Sequence, residues 1–238
     1  MAPARTWKRL AVAAAMLSMC AATAAHADPI PACVTAPCID FGNVRQPGGT
    51  ISYDGSGGPL IGMDIPILAL NGIGTPANST PPGYPIVGGL LNFTTGAFVG
   101  SNPLEGYEFG GGGSFRITGA VPAAGLDDPA TVLLDGTFTG ALFSIGPPGQ
   151  FVVRPRGTDL KHTDLLAFFG FAPGTPMSFG GFIITDPPEN GLNGGAFSVT
   201  ALNTDITNSP VPEPASLLLV GSGVAALIGR QRTRRRKG

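Results

Sequence analysis

The sequence predicts an all-β protein, a single β-sandwich or jelly-roll-like domain carrying one short helix. It holds 37 Gly and 24 Pro in 238 residues, so turns are frequent and long regular helices are disfavoured. Hydrophobic residues still reach 43%, enough to bury a core rather than leave the chain disordered. Apolar and polar residues also alternate over short stretches, as a strand with one buried face requires.

The N-terminus reads as a secretory signal peptide over 1–27. Arg5, Lys8 and Arg9 form a basic start, and 10–22 is an apolar run too short to span a bilayer. Ala25-His26-Ala27 supplies small residues around a cleavage point before Asp28, so signal peptidase and the secretion machinery are the first expected partners. Cys20 follows Met19 rather than a small residue, which argues against a lipoprotein. Cleavage leaves Cys33 and Cys38, and in an oxidising compartment their close spacing predicts a local disulfide. A zinc site would need further ligands, and the mature chain has no other Cys.

Strands are expected at 50–53, 60–70, 90–99, 114–121, 131–145, 151–154, 179–185 and 196–202, separated by Gly- and Pro-rich turns. Ser114-Phe115-Arg116-Ile117-Thr118 shows the two-residue period plainly. A helix is expected over 159–169, capped by Thr158 or Asp159 and ended by Gly170. These elements fill an exported β-rich domain at 28–203, and the polar stretch 204–210 reads as a linker.

From Asp28 to Pro210 the chain holds five cations (Arg45, Arg116, Arg154, Arg156, Lys161) against fourteen carboxylates, a net of −9. Such a surface repels phosphate, so no nucleic-acid partner is expected. The run Gly110-Gly111-Gly112-Gly113 lacks the lysine of a phosphate-binding loop and precedes a strand, so it reads as a hairpin connection or edge. His162 is the sole histidine of the mature chain, and no G-x-S-x-G elbow accompanies it. Glu105 with Glu108, or Asp127 with Asp128, are the carboxylate pairs a hydrolase would need, yet they read as solvated loop residues. No catalytic residue, metal ligand or cofactor is expected, and the chain reads as a non-enzyme.

The C-terminus carries the most specific pattern. Val211-Pro212-Glu213-Pro214 is followed by the apolar stretch 215–229 and then by Arg230, Arg232, Arg234, Arg235, Arg236 and Lys237. The prolines keep the first segment extended, so helix begins only after Pro214. As a helix the apolar stretch is about 22 Å long, short for a transmembrane span but within reach of snorkelling arginines. The basic cluster marks the cytoplasmic end.

The 211–238 segment resembles the PEP-CTERM family of sorting signals. The resemblance implies recognition of Val211, Pro212, Glu213 and Pro214 by an exosortase-like protease. It also implies passage through the inner membrane, then release to the cell surface or extracellular matrix, in association with extracellular polysaccharide. The function expected on that basis is a structural or exopolysaccharide-associated surface protein. The alternatives are a carbohydrate-binding β-sandwich module, for which Tyr53, Tyr84 and Tyr107 would supply the aromatic platform, and a secreted hydrolase.

Overall fold

The computed structural model describes residues 33, 37–43, 46–79, 83–102, 106–146, 149–189, 193 and 195–211. The expected signal peptide and cleavage point (Ala25, Ala27, Asp28), the apolar span 215–229 and the basic tail lie outside them. Twelve strands follow in order: β1 (Cys38–Asn43), β2 (Thr50–Tyr53), β3 (Pro59–Pro66), β4 (Ala69–Ile73), β5 (Tyr84–Pro85) and β6 (Val87–Asn102). Then come β7 (Gly106–Phe109), β8 (Gly112–Ala120), β9 (Val132–Ile145), β10 (Phe151–Lys161), β11 (Met177–Thr185) and β12 (Phe197–Pro210). A short helix, α1 (Thr163–Phe168), follows β10.

The pairing is antiparallel throughout and collapses into eight positions. β1 and β2 lie end to end along one edge of β12, through Ile39↔Asn208 and Ile51↔Val199. β3 and β4 form the next position, opposite β2 and β1. β5 and β6 form the third and β7 and β8 the fourth, both of the latter lying between β6 and β9. β9, β10, β11 and β12 complete the circuit, and β12 uses its second edge to pair β11. The result is a closed up-and-down barrel, each position hydrogen-bonded to the next in sequence.

This corrects the sandwich expectation. A sandwich leaves four sheet edges, whereas here β12 is long enough to be paired on both sides and no edge remains to be shielded. The breaks within four positions explain how twelve strands make eight. Pro47-Gly48-Gly49 separates β1 from β2, and Gly110-Gly111 separates β7 from β8. That second glycine pair is therefore neither a hairpin nor a free edge. It is a bulge inside one strand position, with backbone bonds between Gly110 and both Gly96 and Ala97.

Inward positions are apolar and rich in rings. Phe93, Phe115, Phe138 and Phe179 interlock across the middle, with Phe115 and Phe179 stacked at 4.4 Å between centroids. Towards one end Tyr53, Phe98, Tyr107, Phe109 and Phe197 make a second aromatic layer. The opposite end is plugged by α1, whose Leu165 and Leu166 are buried together with Phe169 just beyond it. Outward positions such as Ser114, Arg116, Asp135, Thr137 and Thr139 are polar and exposed. Arg116 and Asp135 face each other across β8 and β9 at 2.6 Å.

The helix is shorter than expected. β10 continues through Asp159 and Lys161, and the cap is His162, whose Nδ1 accepts from the Asp164 N–H at 3.3 Å. Gly170, at φ +79°, does follow the helix, its N–H donating to Ala167. The linker expectation also fails. Residues 204–210 are the second half of β12, with Thr204, Ile206, Thr207 and Asn208 buried. Their polarity hides their role, because Thr207 and Asn208 donate to backbone carbonyls inside a ladder that sequence polarity alone does not reveal.

Candidate functional site

The helix-plugged rim gathers the chemistry. β1 begins there and β12 ends there, so the two ends of the described barrel emerge side by side. Cys33 and Cys38 stand at disulfide distance at this rim, with Cα atoms 5.9 Å apart. Pro210 is the last residue of β12, opposite Met177, and the Val211 N–H donates to the Pro176 carbonyl at 3.0 Å. Val211 of the expected sorting motif thus sits directly on the barrel. Pro212, Glu213 and Pro214 lie outside the described residues.

Just inside the rim is a buried polar cluster. On β10, alternation points Gly157, Asp159 and Lys161 inward while Thr158 and Leu160 face out. Lys161 Nζ donates to Asp159 Oδ1 at 2.5 Å and to Asn208 Oδ1 at 2.9 Å. Both ion-pair side chains have no exposed area, and Nζ lies 5.7 Å from the centre of the Phe41 ring. The Asn208 amide nitrogen donates to the carbonyls of Ile39 and Ile206, tying β12 to β1. Burial pushes the Asp159 carboxyl up and the Lys161 amine down, and the attraction between them opposes both shifts. Burial is the larger influence on each group. Asp159 Oδ2 and Thr204 Oγ1 are buried without a hydrogen-bond partner among the described residues.

A second carboxyl pair lies on the outer face of the same seam. Asp40 of β1, opposite Thr207, is a diagonal neighbour of Asp205 on β12. Asp40 is pushed up to about 7, first by burial, then by the charge of Asp205 and the hydrogen bond between them. Asp205 is also raised by burial, while the hydrogen bond from Asp40 lowers it.

Sequence reasoning missed both clusters. The only usable signal was Lys161 itself, the one lysine between the two basic ends. Hydropathy pointed the wrong way, because Leu160 is exposed while its charged neighbours are buried. The other candidate residues fall elsewhere. His162 is half-buried at the helix cap, and Glu108, Asp127 and Asp128 are exposed. Asp128 serves a turn, its carboxylate accepting from the Ala130 N–H. Glu105 lies outside the described residues. Tyr53 and Tyr107 are core residues, and half-buried Tyr84 packs edge-on against Phe168. Two depressions on the outer face are shallow, about 470 Å³ along β9 and β10 and about 420 Å³ beside Met63, Asn92 and Arg116. Among the described residues no three His, Cys, Asp or Glu side chains group as metal ligands.

Fold and rim together define a class: an antiparallel barrel whose closing strand runs straight into a C-terminal processing segment. That segment is a PEP-CTERM protein-sorting motif, which the family model matches over residues 210–236. The motif implies export and processing at the membrane by an exosortase-like protease. No curated protein and no solved structure matches the chain.

Proposed function

We propose that this chain is a non-enzymatic surface or extracellular-matrix protein, in which the barrel is the delivered structural module and the C-terminal segment is its address. The observation that carries the reading is the junction. The sorting match begins at Pro210, the residue that ends the barrel's closing strand. Folding of the barrel and presentation of the motif are thereby coupled, with no slack between them. Association with extracellular polysaccharide goes with this reading, through hydrogen bonds from the Ser, Thr and Asp side chains of the outer face rather than through an aromatic platform. The carbohydrate-binding module and the hydrolase are less well supported. Two of the three tyrosines that a platform would use are spent in the core, and Glu108, Asp127 and Asp128, the described acids that a hydrolase would use, are exposed.

The test compares the wild-type chain with a variant carrying Pro212→Ala, Glu213→Ala and Pro214→Ala in a host that has an exosortase. The prolines hold the segment extended, a form that proteases bind, and alanine lets helix grow towards the barrel. The variant is expected to remain in the inner membrane at unprocessed size while the wild type reaches the matrix fraction. Equal processing and release of both would reduce the segment to an ordinary anchor.

A further inference from the structure

The buried cluster at the rim holds a primary amine, a carboxamide and a carboxylic acid in mutual contact and away from water. We infer that Lys161 and Asn208 form an intramolecular isopeptide bond, with Asp159 as the proton-transferring catalytic residue. The inference stands on geometry. Nζ of Lys161 is 2.9 Å from Oδ1 of Asn208. With a C=O bond of about 1.23 Å and an ordinary hydrogen-bond angle, Nζ stands roughly 3.5–4 Å from Cγ, close to attack distance. Asp159 touches the same Nζ at 2.5 Å. Its other oxygen has no hydrogen-bond partner among the described residues, so it is available to take and return a proton.

An amine attacks a carbonyl only when neutral, and in water a lysine is almost wholly protonated. Here burial favours moving the proton from Lys161 to Asp159, giving a free amine beside a neutral acid. The amine attacks Cγ of Asn208, and the Asp159 O–H supports the oxygen as it becomes tetrahedral. Asp159 then passes a proton to the amide nitrogen, which leaves as ammonia, and the resulting carboxylate takes the proton that Nζ loses as the new amide forms. The Nζ–Cγ bond forms, the Cγ–Nδ2 bond breaks, and one ammonia is released without any oxidant, cofactor or second molecule. The Phe41 ring and the complete burial of both charged side chains keep water from competing. The product is a covalent tie from β10 to β12, passing behind β11 at the rim where the chain leaves the barrel.

The sequence supplies a direct readout. No Lys or Arg lies between Lys161 and Arg230, and Arg156 precedes Gly157. Trypsin acting on the unfolded, reduced chain therefore releases the peptide 157–161 when Lys161 is free, and cannot cut there once Nζ is acylated. The experiment digests the full chain, purified from an exporting bacterial host, and maps it by mass spectrometry. The expected result is loss of the 157–161 peptide. A fragment starting at Gly157 should replace it, containing both Lys161 and Asn208 and lighter by one ammonia than its sequence. Asn208→Ala should restore the peptide fully. Asp159→Asn, which keeps the volume but removes the acid, should slow bond formation by at least ~100-fold. Wild-type chain that yields the 157–161 peptide quantitatively at its sequence mass overturns the inference, and that result does not depend on how any variant folds. Ammonia loss with the peptide still released would place the loss at another asparagine and overturn it equally. Linkage in Asp159→Asn at the wild-type rate would remove Asp159 from the mechanism.

Discussion

Asp40 and Asp205 make the closing seam sensitive to pH, and the sign follows from the direction of the shifts. Both carboxyls hold their protons more tightly in the barrel than in the unfolded chain, Asp40 up to about 7 from 3.8. Between those values the folded chain binds more protons than the unfolded one, so stability falls as pH rises. The contribution is complete below about pH 4 and gone above about pH 7, the reverse of a salt-bridged carboxylate. Asp40 is partly solvated, so the effect is discounted to about 1 kcal/mol. Asp40→Asn, which can still donate to Asp205, should raise the urea midpoint at pH 8 and leave it nearly unchanged at pH 4.5. Parallel pH profiles for the two proteins would remove the pair from any role in stability. Neither this pair nor Lys161 with Asp159 was legible in the sequence. Partners such as Asp40 and Asp205 lie at opposite ends of the chain, and only closure of the barrel makes them neighbours.

Strands were legible where alternation is unbroken and obscured where Gly or Pro interrupts it. The stretch 50–53 matches β2, and 131–145 and 179–185 fall within two residues of β9 and β11. β10 was expected to stop at Arg154 because Pro155 and Gly157 look like breakers, yet it runs on to Lys161. Both occupy buried positions, and at Gly157 a larger side chain has no room. A Cβ on Gly157 would lie 2.2 Å from the Thr137 carbonyl oxygen and 2.4 Å from the tip of the Phe179 ring. Gly157 is therefore the slot into which Phe179 stacks against Phe115, and its absence of a side chain is a packing requirement. Gly157→Ala should cost about 2–3 kcal/mol through this overpacking, lowering the urea midpoint without changing the slope. Phe179→Leu in the same chain should recover part of the loss, since the shorter side chain vacates the ring tip. A neutral Gly157→Ala would mean that β10 and β11 slide apart more easily than their paired register implies.

At the scale of the whole molecule, the barrel exists only because its last strand reaches back to its first. Alternation in the sequence revealed that each strand has one buried face, but that is true of sandwiches and barrels alike, so closure was not readable from it. The deciding residues are 204–210, whose polar composition suggests a dispensable connection. In the structure they supply the β1–β12 ladder, most of the β11–β12 ladder, and the buried Ile206 and Asn208. Removing them opens two sheet edges and uncovers Phe41, Ile39 and the Lys161–Asp159 pair. The cost should exceed the roughly 5–15 kcal/mol by which domains are ordinarily stable. The exosortase-like protease is accordingly expected to cut beyond the barrel, at or after Val211, whose N–H donates to the Pro176 carbonyl. Two truncated chains test this, one ending at Val211 and one ending at Asn203, each expressed in an exporting host with residues 1–27 retained. The chain ending at Val211 should give a β-type circular dichroism spectrum and a single cooperative unfolding transition. The chain ending at Asn203 should be degraded on export or recovered without a transition. Cooperative folding of the shorter chain would return 204–210 to the status of a linker, and would leave the protease free to cut inside β12.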